Sequence, residues 1–145
     1  MILILAIFIT LWAYAQTAAK PGYIYVISNV GSFGEGVFKV GMTQRVDPKL
    51  RVQELGDASV PFPFDIHAMI ATDDPRGLER KVHADLAKYS LNKVNIRKEF
   101  YRTDLDTIVA TVKKHHDQPF DVTREATASE YRKSLIIETE QKGHD

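Results

Sequence analysis

Two short runs, Gly22-Tyr23-Ile24-Tyr25-Val26 and Val37-Phe38-Lys39-Val40-Gly41, restrict the fold of this chain more than any other feature. Residues 23–28 are dense in aromatic and β-branched side chains, which favour a buried strand, and Pro21-Gly22 breaks the chain just before them. Residues 29–36 carry Asn29, Gly31, Ser32, Gly34 and Gly36, the residue types that turn a chain back on itself. Residues 37–42 form the returning strand, so a two-stranded antiparallel ribbon is the expected nucleus of the fold.

Beyond the ribbon the chain is punctuated by helix signals. Asp47-Pro48 provides an N-cap and a proline at the first helical position, and Gly56 is the expected stop. Arg51 and Leu55, four apart, share a face of that helix, which turns the arginine toward the body of the protein. After the stiff Val60-Pro61-Phe62-Pro63 connection, residues 64–71 read as a third strand. A second helix runs from Asp74-Pro75 to about Lys88, with Leu78, Val82 and Leu86 as a one-sided apolar row. Glu79 and His83 form the adjacent row, at the margin of the buried face. Residues 92–97 are a polar loop, 99–101 a short extended piece, and 105–116 a third helix with Ile108, Val109 and Val112 inward. Another helix is expected around residues 126–137. The expected fold is α/β in the α+β sense: a small, mainly antiparallel three-stranded sheet flanked by helices.

At 145 residues there is room for one domain and a tail, and the absence of cysteine excludes a disulfide framework, a cysteine nucleophile and a thiolate zinc site. Residues 20–116 carry 15 Lys+Arg against 12 Asp+Glu, while residues 117–145 carry 4 against 7. A nucleic-acid surface therefore belongs to the central region. Before it, residues 2–15 are apolar except for Thr10, and no charge precedes Lys20. Ala13-Tyr14-Ala15 has the small-x-small form of a signal-peptidase site, without the positive n-region of a secretory signal. Uncleaved, residues 2–19 are barely long enough to span a bilayer. Membrane association or export through residues 2–19 is thus one expectation, and a misplaced start the competing one. The expected organisation is an apolar segment over 1–20, a domain over 21–116 and an acidic, partly helical tail over 117–145.

Hydrolysis of a phosphodiester needs an activated water, neutralisation of charge on the phosphate and help for the departing alkoxide. Tyr25 suits a general base if a cation pushes its phenol toward ionisation, and Lys39 on the paired strand is placed to do that if both point to one side of the ribbon. Taken alone, the pair is better explained as a packed strand tyrosine and a solvated lysine. Arg51 suits a phosphate because its planar guanidinium binds two oxygens. Glu79 offers a hard oxygen ligand for Mg²⁺, and His83, one turn on, can hold a water or phosphate oxygen. Each of these alone is an ordinary surface residue. Arg45, Lys49 and Arg51 on one side and Lys93, Arg97, Lys98 and Arg102 on the other are the candidates for DNA contact.

In combination these residues resemble the GIY-YIG nuclease superfamily, in particular its phage-T5-type DNA-binding branch. The resemblance implies a GIY-YIG endonuclease-like fold and a phosphodiester hydrolase, with Tyr25 as base, Lys39 as its activator, Arg51 as phosphate clamp and Glu79 as ligand of Mg²⁺ or another divalent cation. It also implies that Asn95 matches the asparagine that often comes after the glutamate. Tyr23 stands where the first eponymous motif has glycine, and Phe38-Lys39-Val40-Gly41 lacks the tyrosine of the second. Gly41-Met42-Thr43, residues 58–64, Arg97-Lys98-Glu99-Phe100 and residues 130–135 resemble the T5-type branch further. The branch implies DNA as partner and a cytoplasmic setting, with the chain as the terminal module of larger relatives. A DNA-binding module without turnover is the alternative.

Overall fold

The computed structural model describes residues 1–17, 20–95 and 97–144. Strand β1 (Gly22–Ser28) runs into a single helical turn, α2 (Val30–Phe33), and returns as β2 (Val37–Thr43). The expected ribbon forms, but its connection is a helical turn and not a plain loop. Asn29 shapes it: its side chain accepts from the Ser32 N–H at 3.3 Å and donates to the Phe62 carbonyl at 2.6 Å. Gly34 and Gly36 then take left-handed φ values of 81° and 75°, which glycine adopts without strain.

Helix α3 (Pro48–Ala58) starts at Asp47, whose carboxylate accepts from the Lys49 N–H. It runs through Gly56, where a stop was expected. The Pro63 backbone passes 3.4 Å from where a side-chain Cβ would begin, so this glycine serves close packing and not termination. Strand β3 (Asp65–Thr72) comes next, then α4 (Pro75–Leu86), capped by Asp74 and continued by one 3₁₀ turn at Ala87–Tyr89. Strand β4 (Phe100–Arg102) and α5 (Leu105–His115) complete the packed unit. The sheet is antiparallel with order β3-β1-β2-β4, four strands where three were expected. The fourth is the short extended piece after the polar loop.

Alternation along the strands divides the interior in two. On one face Ile24, Val26, Val40, Ala68 and Ile70 meet Leu78, Val82 and Leu86 of α4 and Ile108 and Val112 of α5. On the other, Tyr25 and Ile27 pack with Val52 and Leu55 of α3. After α5 the chain lies along β3, with Phe120 and Val122 against the core and the Thr123 N–H donating to the His67 carbonyl at 2.7 Å. Helix α6 (Ser129–Lys142) begins three residues later than expected, because the Ala128 N–H is held by Asp65 and Ala128 turns left-handed at φ 44°.

The N-terminal apolar segment forms α1 (Ile2–Thr17), exposed along its described side chains. Its 16 residues rise only ~24 Å, short of a hydrocarbon core of about 30 Å. Among the described residues no helix is long and apolar enough to cross a membrane. Residues 18 and 19 of that segment lie outside the described residues.

Candidate active site

The site lies where β4 stops. β4 pairs with β2 only from Val37 to Lys39, which leaves the outer edge of Val40 and Met42 without a strand partner. Buried backbone polar groups must find other partners. The Val40 N–H reaches the Glu99 carbonyl at 3.2 Å, and the Val40 carbonyl accepts from His83 Nε2 at 2.7 Å. Hydrogen bonding from the Met42 backbone acts on the Glu79 carboxylate. The second row of α4, one residue away from its apolar row, therefore closes an unfinished sheet edge.

From the opposite face come Tyr25 and Lys39. Tyr25 pairs with Gly41 and Ile27 with Lys39, so both side chains leave the same side of the ribbon. The Tyr25 phenol lies over Gly41 so closely that any Cβ there would overlap its hydroxyl oxygen. The glycine of the second motif is thus a seat for the tyrosine of the first. Arg51, turned inward by the α3 face it shares with Leu55, is the cation that meets this phenol. Its side chain stays 43% exposed and sits 3.6 Å from Glu54. Lys39, expected to activate Tyr25, has its ammonium 3.1 Å from Glu99 Oε2 and 5.2 Å from the centre of the Phe100 ring.

The electrostatics reflect this placement. Burial, and next the charge of Glu99, push the Tyr25 phenol up to about 12, while Arg51 pulls the other way through its charge and hydrogen bonding. Glu79 is pushed up to about 7, first by burial and then by Glu99, against the pull of Lys39, the Met42 backbone and Arg76. A half-buried carboxylate beside a second negative charge is pushed up in this way. Glu79, His83 and Glu99 each bring one ligand atom within 4.8 Å of the others.

Glu99 is the site residue that sequence reasoning missed. It stood in Arg97-Lys98-Glu99-Phe100, and the acid directly before an aromatic strand was the available signal. Only the register that sets Phe100 opposite Lys39 turns it inward. Asn95 is not brought to the site. It is exposed, and its side-chain oxygen accepts from the Arg97 N–H at 3.1 Å, which shapes the loop. Of the proposed DNA contacts, Arg45 is ion-paired with Glu54, and Lys93 donates to the Lys88 carbonyl at 2.9 Å. Lys49, Arg97, Lys98 and Arg102 are exposed and, among the described residues, make no ion pair within 4.0 Å.

The structure thus brings together a first-strand tyrosine seated on a second-strand glycine, a helical arginine and a glutamate from the next helix. The T5orf172 domain matches residues 22–116, and the chain belongs to that family, whose domains are of the nuclease or DNA-binding kind. No curated protein and no solved structure matches the chain.

Proposed function

We propose that this chain is a divalent-cation-dependent DNA endonuclease that hydrolyses phosphodiester bonds at the open edge of β2. The observation that carries this reading is the meeting, across the two faces of one sheet edge, of Arg51 with Tyr25 and of Glu79 with His83 and Glu99. Arg51, half exposed, binds two oxygens of the target phosphate. Tyr25 faces the attacking water and, as the phenolate that Arg51 favours, accepts the water's proton, while the departing oxygen is protonated from solvent. Lys39 orients Glu99 and offsets its charge.

The donor set fits a hard divalent cation such as Mg²⁺, since a carboxylate with a second one nearby is the usual anchor for such an ion. Glu79 is the ligand assigned to it. When bound, the ion supplies charge neutralisation at the phosphate and eases ionisation of water. Lys49, Arg97, Lys98 and Arg102, with Arg45 and Lys93, hold the DNA backbone without reading its sequence.

The test is supercoiled plasmid incubated with Mg²⁺ or with EDTA. Wild type is expected to nick only with Mg²⁺, and Glu79→Gln and Arg51→Ala to lose nicking. Undiminished nicking by Glu79→Gln rejects the reading. One observation favours a second reading, a DNA-binding module without turnover: the Tyr25 phenol is pushed up to about 12 and not down. A salt-sensitive gel shift with no metal-dependent cleavage would select it.

A further inference from the structure

Building on the cation site just proposed, we infer that Glu79, His83 and Glu99 bind the cation together, as a mixed oxygen and nitrogen site that prefers Mn²⁺ or a similar first-row ion over Mg²⁺. The same geometry makes Lys39 the internal counter-ion that a bound cation displaces from Glu99.

A carboxylate oxygen of each glutamate and one ring nitrogen of His83 lie within 4.8 Å of one another, and the residues come from two separate elements, α4 and the residue before β4. An independent feature orients the histidine. Its Nε2–H donates to the Val40 carbonyl at 2.7 Å, so the neutral ring keeps its lone pair at Nδ1. A backbone carbonyl holding one ring nitrogen while the other is left to coordinate is the usual outer support of a metal-binding histidine. Val40 is fully buried, and its carbonyl lies on the edge that β4 leaves unpaired. The orientation of the ring is therefore fixed by the sheet and not by a surface rotamer.

The donor types then choose the ion. Mg²⁺ keeps several waters and is met by one or two carboxylates, whereas imidazole favours first-row transition ions. A site with two carboxylates and one imidazole falls on the transition-metal side while still accepting Mg²⁺ weakly. Lys39 places one positive charge 3.1 Å from Glu99 Oε2, and its side chain is only 13% exposed. An ion entering among the three ligands meets that ammonium as a competitor for Glu99.

The test is Mn²⁺ binding by the full chain, monitored by loss of the free-ion EPR signal, with Mg²⁺ as competitor. It needs no DNA and no turnover. Wild type is expected to retain Mn²⁺ against an equal concentration of Mg²⁺ and to show ¹⁴N modulation of the bound ion in pulsed EPR. His83→Gln keeps a donor for the Val40 carbonyl and is expected to lose the ¹⁴N modulation. His83→Gln and Glu99→Gln should each weaken binding on the order of tenfold or more. Lys39→Met should bind Mn²⁺ more tightly. Wild-type affinity in both His83→Gln and Glu99→Gln, absence of ¹⁴N modulation, or displacement by equimolar Mg²⁺ would each overturn the three-ligand site. If those results come with lost binding in Glu79→Gln, the single-carboxylate site stands. If Glu79→Gln also binds as wild type, or wild type binds no Mn²⁺, both readings fall.

Discussion

Helix α4 carries two neighbouring rows that behave in opposite ways. Leu78, Val82 and Leu86 face the sheet and are 6%, 0% and 0% exposed, whereas Glu79 and His83, one residue on from Leu78 and Val82, reach the edge that β4 leaves open. The first row is stabilised by burial of apolar surface. The second gathers polar groups whose packing works against stability at neutral pH. Burial and Glu99 raise Glu79 from the ordinary 4.5 to about 7, so the folded state favours the protonated acid. That contribution is fully present below about 4.5 and is lost as the pH rises through about 7. One helix thus separates stability from candidate chemistry by a single residue step.

The comparison is sharpened first by pairing the strongest variant of each region. Leu86→Ala should cost about 2–5 kcal/mol in urea unfolding and leave nicking per folded molecule unchanged. Arg51→Ala should do the reverse, lowering nicking by about 10²–10³-fold with stability within about 0.5 kcal/mol of wild type. Equal loss of stability in the two would break the distinction. Next comes Glu79→Gln, which should remove most of the stability decrease between pH 5 and pH 8 and unfold later than wild type at pH 8. A pH profile parallel to wild type in urea titrations would contradict the placement of Glu79.

A smaller but diagnostic effect is expected at Gly41. Adding a methyl group forces the Tyr25 phenol away from its seat, so Gly41→Ala should cost about 1–3 kcal/mol and lower nicking as well, the one of these substitutions that lowers both readouts. The smallest effects belong to the outer cations. Lys98→Ala should leave stability unchanged and reduce the salt slope of DNA binding by about one phosphate contact, measured by gel shift over a series of salt concentrations.

Local chemistry explains why much of this was legible in the sequence. Asp47, Asp74 and Asp104 each cap a helix with their own carboxylate, and such caps are written in adjacent residues. The apolar row of α4 and the alternation of β1 are likewise short-range patterns. The elements that carry Tyr25, Arg51 and Glu79 were legible for the same reason, whereas grouping the three as a candidate site came from the family resemblance. The rest depends on register between distant segments. That β4 covers three residues of β2 and no more decides which backbone groups are left open, and no local pattern near Phe100 states it. Glu99 turned inward, Lys39 paired with it, and Arg51 in place of Lys39 beside the phenol all depend on that pairing. Gly56 misled because a helical glycine needed for close packing looks the same in sequence as one that ends a helix.

Stability without added metal and plasmid nicking in Mg²⁺, both at pH 8 on one preparation of Glu79→Gln, test the separation of the two rows most directly. Nicking lost in a protein at least as stable as wild type is the expected result. Nicking retained at the wild-type rate in that same folded protein would contradict it.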